Sequence, residues 1–273
     1  MRQTKVVDEK AFLAKATGRR FGSVDAKLTE LIPGVARISL ACIGNSAALY
    51  HNVEHTMLVT LVGYDIMKGR ALLMPTLPID FAHVLVACLL HDIGYVRGIL
   101  LGDSPDGYVI DAKGGKTKLP RGSSDAALTP FHVDRSKLYV TERIGKSEVL
   151  DAARIADAIE YTRFPSPGGP SGEDNEEGSL VRAADLIGQL GDPQYLRKAN
   201  ALYHEFEEAG SLILSLVPRR FISDMLRKLK LMFRRRFASV LAIVTPITGR
   251  ATLVAPSFIS VATRKRSPGI AGQ

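Results

Sequence analysis

His51 and His55 stand four residues apart, His91 and Asp92 are adjacent, and Asp185 lies in the mostly apolar stretch 180–190. On an α-helix, positions i and i+4 differ by about 40° in azimuth and sit one turn apart. A helical reading of the first stretch therefore puts His51 and His55 on one face. Residues 81–90 are apolar except for His83, so they read as a core helix that delivers His91-Asp92 at its C-terminus, just before Gly94. A charged pair emerging from a core needs compensation. Neutral imidazole and carboxylate are N and O donors that Zn, Mn or Fe accept, and a carboxylate can bridge two ions. Asp185 reads as a ligand arriving from across the bundle, so the His51 and His55 pair, His91-Asp92 and Asp185 offer the parts of a site for a divalent ion.

This ordered pattern of His, His-Asp and a distant Asp resembles the HD superfamily of metal-dependent phosphohydrolases over residues 35–208. The segment Tyr50-His51-Asn52-Val53-Glu54-His55 is similar to the Tyr-His-Asn-x-x-His segment of cyclic-nucleotide phosphodiesterases. The resemblance implies an all-α, HD-domain-like helical bundle with long loops near the metal site. It further implies an enzyme that hydrolyses a small phosphate ester, a nucleotide or cyclic nucleotide, with one or two divalent ions from among Mn, Mg, Fe and Zn. It assigns His51 as the acid that protonates the leaving oxygen, His55, His91, Asp92 and Asp185 as the metal ligands, and Asp92 as a catalytic residue as well. One position departs: those phosphodiesterases carry a histidine four residues after the first of the His-Asp pair, where this chain has Tyr95. That departure weakens the case for a cyclic nucleotide.

Further candidates surround this set. His132 stands at the start of an expected helix, where backbone amides and Arg135 could favour an anion. It reads either as a second-metal ligand or phosphate contact, or as a plain helix cap. Glu160 is a weaker candidate of the same kind, and its neighbour Arg163 could grip a phosphate in a fork. Residues 102–122 are rich in Gly, Asp and Lys, and loops of that length tend to be functional or disordered. A lid carrying Lys116, Lys118 and Arg121 to a phosphate is one reading of them, and a solvated surface loop is the other. His83 reads as a core residue and His204 as part of a solvated helix face.

At 273 residues the chain can bury one large core or two small ones. The pattern divides into an N-terminal segment 1–34, a catalytic domain 35–210 and a basic tail 211–273. Helices are expected at 8–16, 24–32, 45–68, 80–92, 133–144, 147–162, 178–190 and 194–209, with Ser147 and Asp80 marking helix starts. A second exposed loop, rich in Pro, Gly and acid, is expected at 166–178. Cys42 and Cys88 are too few for a disulfide framework, which points to a reducing cytoplasm, and the first residues lack the apolar core of a signal peptide.

The net charge of +8 is uneven, because twelve of the 36 basic residues but only one of the 28 acids fall after residue 210. The first 210 residues therefore carry −3. In the tail, Phe221, Met225, Leu229 and Met232 recur at helical spacing beside Arg227, Lys228, Lys230 and Arg234-Arg235-Arg236. A basic amphipathic sequence of this kind suits nucleic acid or an anionic membrane surface. The apolar run 238–244 falls short of the ~20 residues that span a bilayer. Two other readings thus stand beside the hydrolase: a nucleotide- or metal-sensing module without turnover, and a binder of nucleic acid or membrane driven by the tail. The tail also departs from the closing segments that the resemblance implies, as an altered reading frame or an extension would.

Overall fold

Ten consecutive residues, Phe81 to Leu90, are buried, and they make the helix around which the others assemble. A helix that is apolar on every side must be covered on every side. The computed structural model describes residues 26–164 and 175–210. The helix expected at 8–16, most of the 166–178 loop and the whole basic tail lie outside the described residues.

The described elements run α1 (Ala26–Ile43), α2 (Val53–Leu73), α3 (Pro78–Leu90), a 3-10 turn (Ile93–Tyr95), β1 (Tyr108–Val109), β2 (Lys116–Thr117), a 3-10 segment (Asp125–Phe131), α4 (His132–Ile144), α5 (Ala152–Glu160), α6 (Glu176–Gly191) and α7 (Tyr195–Glu208). The fold is all-α, as expected. Its only strands among the described residues are a two-residue antiparallel pair, with Tyr108 opposite Thr117 and Val109 opposite Lys116. The central helix α3 packs against α1, α2, α5 and α6. No helix among the described residues is long and apolar enough to cross a membrane.

Three helix boundaries differ from expectation, each for a local reason. α1 continues through Pro33 to Ile43 instead of ending at residue 32. An interior proline costs about 3 kcal/mol, but Leu28, Ile32, Ala36, Leu40 and Ile43 line one buried face. Burying each Leu or Ile contributes about 1.5–3 kcal/mol, so the stripe outweighs the proline. α2 begins at Val53 and not near residue 45, because the Asn52 side chain accepts hydrogen bonds from the amides of Glu54 and His55 at 2.9 and 3.4 Å and so caps the helix. α5 begins at Ala152, capped by Asp151, whose carboxylate accepts from the amides of Ala153 and Arg154. Ser147 closes a turn instead, accepting from Val149 and Leu150. Asp80 does support the start of α3, from inside its first turn, by accepting from the Leu77 amide at 3.0 Å.

Small residues bring the site-bearing helices together. A side chain added at Gly188 of α6 would meet the backbone of Val59 in α2 at 3.0 Å, and one at Gly63 of α2 would lie 2.8 Å from the Cys88 sulfur and 3.7 Å from Ala184. Helix α6 therefore meets the α2 backbone directly and α3 seats the Cys88 side chain against Gly63, which is what lets side chains from all three share one point. Gly94, just after α3, has a similar role: a Cβ there would stand 2.0 Å from the His132 carbonyl oxygen and 2.8 Å from the Ser136 amide.

These contacts set an expectation for stability. Gly94→Ala should lower the unfolding free energy by about 1–3 kcal/mol or more through overpacking. Gly69→Ala, in the same chain but on an exposed helical position with open space around it, should raise it by about 0.4–1 kcal/mol. Urea unfolding of the two variants checks the pair, and equal stabilities would remove the close-approach argument.

Candidate metal centre

Helix α3 ends at Leu90 with His91 as its C-cap, and Asp92 takes the bridge conformation at φ −106° and ψ 5°. The next turn is clamped from α4. Ser136, fully buried, donates its hydroxyl to the His91 carbonyl at 2.7 Å and accepts from the Gly94 amide at 2.9 Å. His91 donates Nδ1–H to the Cys88 carbonyl at 2.8 Å, which leaves the Nε2 lone pair for another partner.

Three helices bring the four expected groups together. His55 Nε2 lies 3.4 Å from Asp92 Oδ2 and 3.3 Å from Asp185 Oδ1. His91 Nε2 lies 3.1 Å from Asp92 Oδ2 and 3.8 Å from Asp185 Oδ1. Despite the 3.1 Å separation, His91 Nε2 and Asp92 Oδ2 are buried without a hydrogen-bond partner. Buried polar atoms in such proximity but unpaired need an explanation, and donors that converge on a common cation rather than on one another provide one. His55, His91 and Asp185 offer ligand atoms all within 4.8 Å of one another, as do His51, His55 and Asp92. The donor set, two imidazoles and two carboxylates, fits a borderline divalent ion.

The electrostatics point the same way. Among the described residues no Lys or Arg pairs with Asp92 or Asp185; their charged partners are histidines. Burial works against a charge on His55, yet the facing carboxylates of Asp185 and Asp92 outweigh it and push its pKa up to about 10. His91 is raised by the same contest, with Asp92 foremost against burial. Burial disfavours the Asp92 carboxylate too, but His91, His51 and His55 hold it well below the usual range. The buried carboxylate of Asp92 and the half-buried one of Asp185 thus demand positive charge at this point, from protons or from an ion. Asp185 keeps 21% side-chain exposure, which opens the cluster to solvent on one side.

His51 joins the cluster by a route that helix periodicity does not give. It precedes the α2 cap and is held instead by Glu205 of α7. Glu205 is buried and accepts from the Tyr50 amide at 2.5 Å, the His51 amide at 3.3 Å and His51 Nδ1 at 2.5 Å. This fixes the tautomer and leaves Nε2 as the working nitrogen. Sequence reading missed Glu205 by placing its segment on a solvated face. The available signal was spacing: Tyr195, Leu202 and Glu205 share the buried face of α7. The neighbouring Glu208 binds the amide and hydroxyl of Ser124 at 2.5 Å each, so α7 ties down both loops around the centre.

His132 also reaches the site. Its Nδ1–H donates to the Thr129 carbonyl at 2.6 Å, and its Nε2 stands 3.9 Å from Asp92 Oδ1. Burial, only partly offset by Asp92, lowers its pKa and favours the neutral ring.

Other candidates are engaged elsewhere. Arg135 is fully buried, and all five of its N–H donors are used, on the carbonyls of Gly94, Val96 and Val109 and on both oxygens of Asp103. It has no donor left for a phosphate. Instead it bolts the 102–122 segment, which forms the β1–β2 hairpin, to the turn after the His-Asp pair. Glu160 is not a ligand either: Lys137 and Arg163 occupy both of its oxygens, and despite burial they hold its pKa near 2. Arg163 divides its guanidinium between Glu160 and Asp134. Lys118 and Arg121 are exposed, and no described ion pair links them to the cluster. His83 is a core residue whose Nε2 accepts from the Asp151 amide at 3.0 Å.

Fold and centre together define an all-α protein with a histidine–aspartate cluster suited to a divalent ion. The chain belongs to the Npun_R2479-like family, whose model matches residues 3–234. No curated protein and no solved structure matches it.

The charge balance gives ion binding a sign with pH. His55 holds a proton below about pH 10, and an ion must displace it. Zinc affinity measured by calorimetry should therefore weaken about tenfold per pH unit on going from pH 8 to pH 6, with protons released to the buffer. In chelator-treated protein the His55 contribution to stability is complete below the ordinary histidine pKa and fades as pH rises toward 10. Affinity that does not change with pH would contradict the arrangement.

Proposed function

We propose that the protein is a metal-dependent phosphohydrolase acting on a phosphate ester, a nucleotide or cyclic nucleotide. One observation carries the reading: His55, His91, Asp92 and Asp185, from three helices, converge on one point, where His91 Nε2 and Asp92 Oδ2 are buried without a hydrogen-bond partner. Their order also resembles the HD superfamily pattern. One or two ions, from among Mn, Mg, Fe and Zn, would be held by these four residues. Such an ion supplies Lewis acidity toward a phosphoryl oxygen and lowers the pKa of water. Asp92 suits a two-ion arrangement, since Oδ2 faces His55 and His91 while Oδ1 faces His132.

The remaining groups have distinct tasks. His51, with Nδ1 committed to Glu205, presents Nε2 to the cluster and donates a proton to the departing oxygen. Glu205 stabilises the imidazolium before transfer and keeps the ring oriented afterwards, as the carboxylate of a catalytic dyad does. With Arg135 fully engaged and Arg163 paired to Glu160 and Asp134, neutralising a phosphate would fall to the ion and His51, while the neutral His132 keeps a lone pair at Nε2 for a second ion.

Substrate screening with phosphomonoesters, cyclic phosphodiesters and nucleoside triphosphates, in added Mn or Mg, tests the proposal. Turnover by the wild type should fall about 10²–10⁴-fold in His51→Gln, with ion content unchanged. Glu205→Gln should lose about 10–100-fold. Wild-type protein that carries its ion and turns over none of these esters would defeat the hydrolase reading.

A further inference from the structure

Tyr95 sits where both non-cluster imidazoles meet. Its ring is 1% exposed, and it lies nearly parallel to His51 at 4.6 Å and 13°, and to His132 at 4.5 Å and 21°. The two histidine rings are 6.4 Å apart, so each is closer to Tyr95 than to the other. Burial and the charges of Asp92 and Glu205 hold the Tyr95 phenol well above its ordinary pKa, so the side chain stays neutral. Its hydroxyl is hydrogen bonded to the Thr129 side chain. Thr129 in turn donates its hydroxyl to the Ala126 carbonyl at 2.6 Å, and its own carbonyl accepts from His132 Nδ1. Tyr95 thus has no ligating atom to offer, but its ring face contacts both imidazoles.

Each of those imidazoles is tied at one nitrogen only, His51 to Glu205 and His132 to Thr129. One hydrogen bond leaves a ring free to swing about the axis through that bond. A flat, immobile aromatic surface removes that freedom, because offset-parallel contact is lost as soon as the imidazole tilts. Tyr95 is itself held by the Ser136 clamp on Gly94 and by its hydroxyl bond. An aliphatic residue could fill the same volume but would not dictate ring orientation.

We propose that Tyr95 is a positioning residue that aligns His51 and His132 with the carboxylate of Asp92. The kinetic part of this inference rests on the hydrolase reading, while the structural part does not. The consequence is a division of labour in which the four-group cluster sets ion affinity and Tyr95 sets the aim of the two flanking rings.

The experiment compares wild type, Tyr95→Phe and Tyr95→Leu, each loaded with zinc. Ring-proton NMR signals, assigned through His51→Gln and His132→Gln, should be shifted upfield in the wild type by the Tyr95 ring current. Tyr95→Phe should keep those shifts, and Tyr95→Leu should lose them, with zinc content equal in all three. On an ester that the wild type hydrolyses, kcat should fall about 10–100-fold in Tyr95→Leu, with KM changed less than threefold. Tyr95→Phe should recover most of that loss. Absence of upfield shifts in the wild type overturns the proposal, whether or not the Leu variant folds. So does an equal loss of kcat in Phe and Leu, which would assign the effect to the hydroxyl. If no ester is turned over, the hydrolase reading fails alone and the NMR arm still decides the role of Tyr95.

Discussion

Two carboxylates, Asp92 and Asp185, are brought from different helices to the same pair of imidazoles, and no lysine or arginine among the described residues accompanies them. Burying like charges together is unfavourable unless positive charge is supplied on the spot. The fold supplies it only through histidines, whose protons an ion can replace. That requirement explains why His91 and Asp92 are left unpaired at atoms that any purely structural site would satisfy, and it makes the crossing of α2, α3 and α6 the critical feature of the architecture.

The rest of the molecule serves that crossing. Gly63, Ala184 and Gly188 let the helices touch closely, and Gly94 lets the His-Asp turn seat against the start of α4, where Ser136 clamps it. Arg135 spends its whole guanidinium on the same turn and on Asp103, fixing the hairpin segment beside the centre. From the opposite side, α7 reaches back with Glu205 to the loop before α2 and with Glu208 to the segment before α4. The flanking histidines are therefore set by long-range contacts, and the four-group cluster is set by helix packing.

This division also explains how much the sequence disclosed. The cluster was legible because its residues sit at the ends or on the faces of strongly patterned helices, where residue type and periodicity carry the information. The structure brings His51 beside the cluster but outside α2, because Asn52, a strong cap, marks the start of that helix. Glu205 looked like one of several surface acids, since only the phase of α7 separates it from Glu207 and Glu208. Arg135 reads as an anion contact because a guanidinium near a helix start suits that role, and Arg163 because its fork matches a phosphate. The acidic partner of Arg135 lies 32 residues away and one partner of Arg163 lies 29 residues away, which local pattern does not show, whereas the pairing of Arg163 with Glu160 three residues before it was within local reach. The passage of α1 through Pro33 likewise needed the buried stripe on the far side of the proline.

X-ray absorption at the zinc edge of the zinc-loaded protein tests the central claim most directly. The account predicts nitrogen and oxygen scatterers at about 2.0–2.2 Å, with the outer-shell pattern of two or more imidazoles and no sulfur from the nearby Cys88. Asp185→Ala should remove an oxygen scatterer or abolish binding. A sulfur-dominated shell, or an imidazole pattern untouched by His55→Ala and His91→Ala, would show that the ion sits elsewhere and would contradict the account.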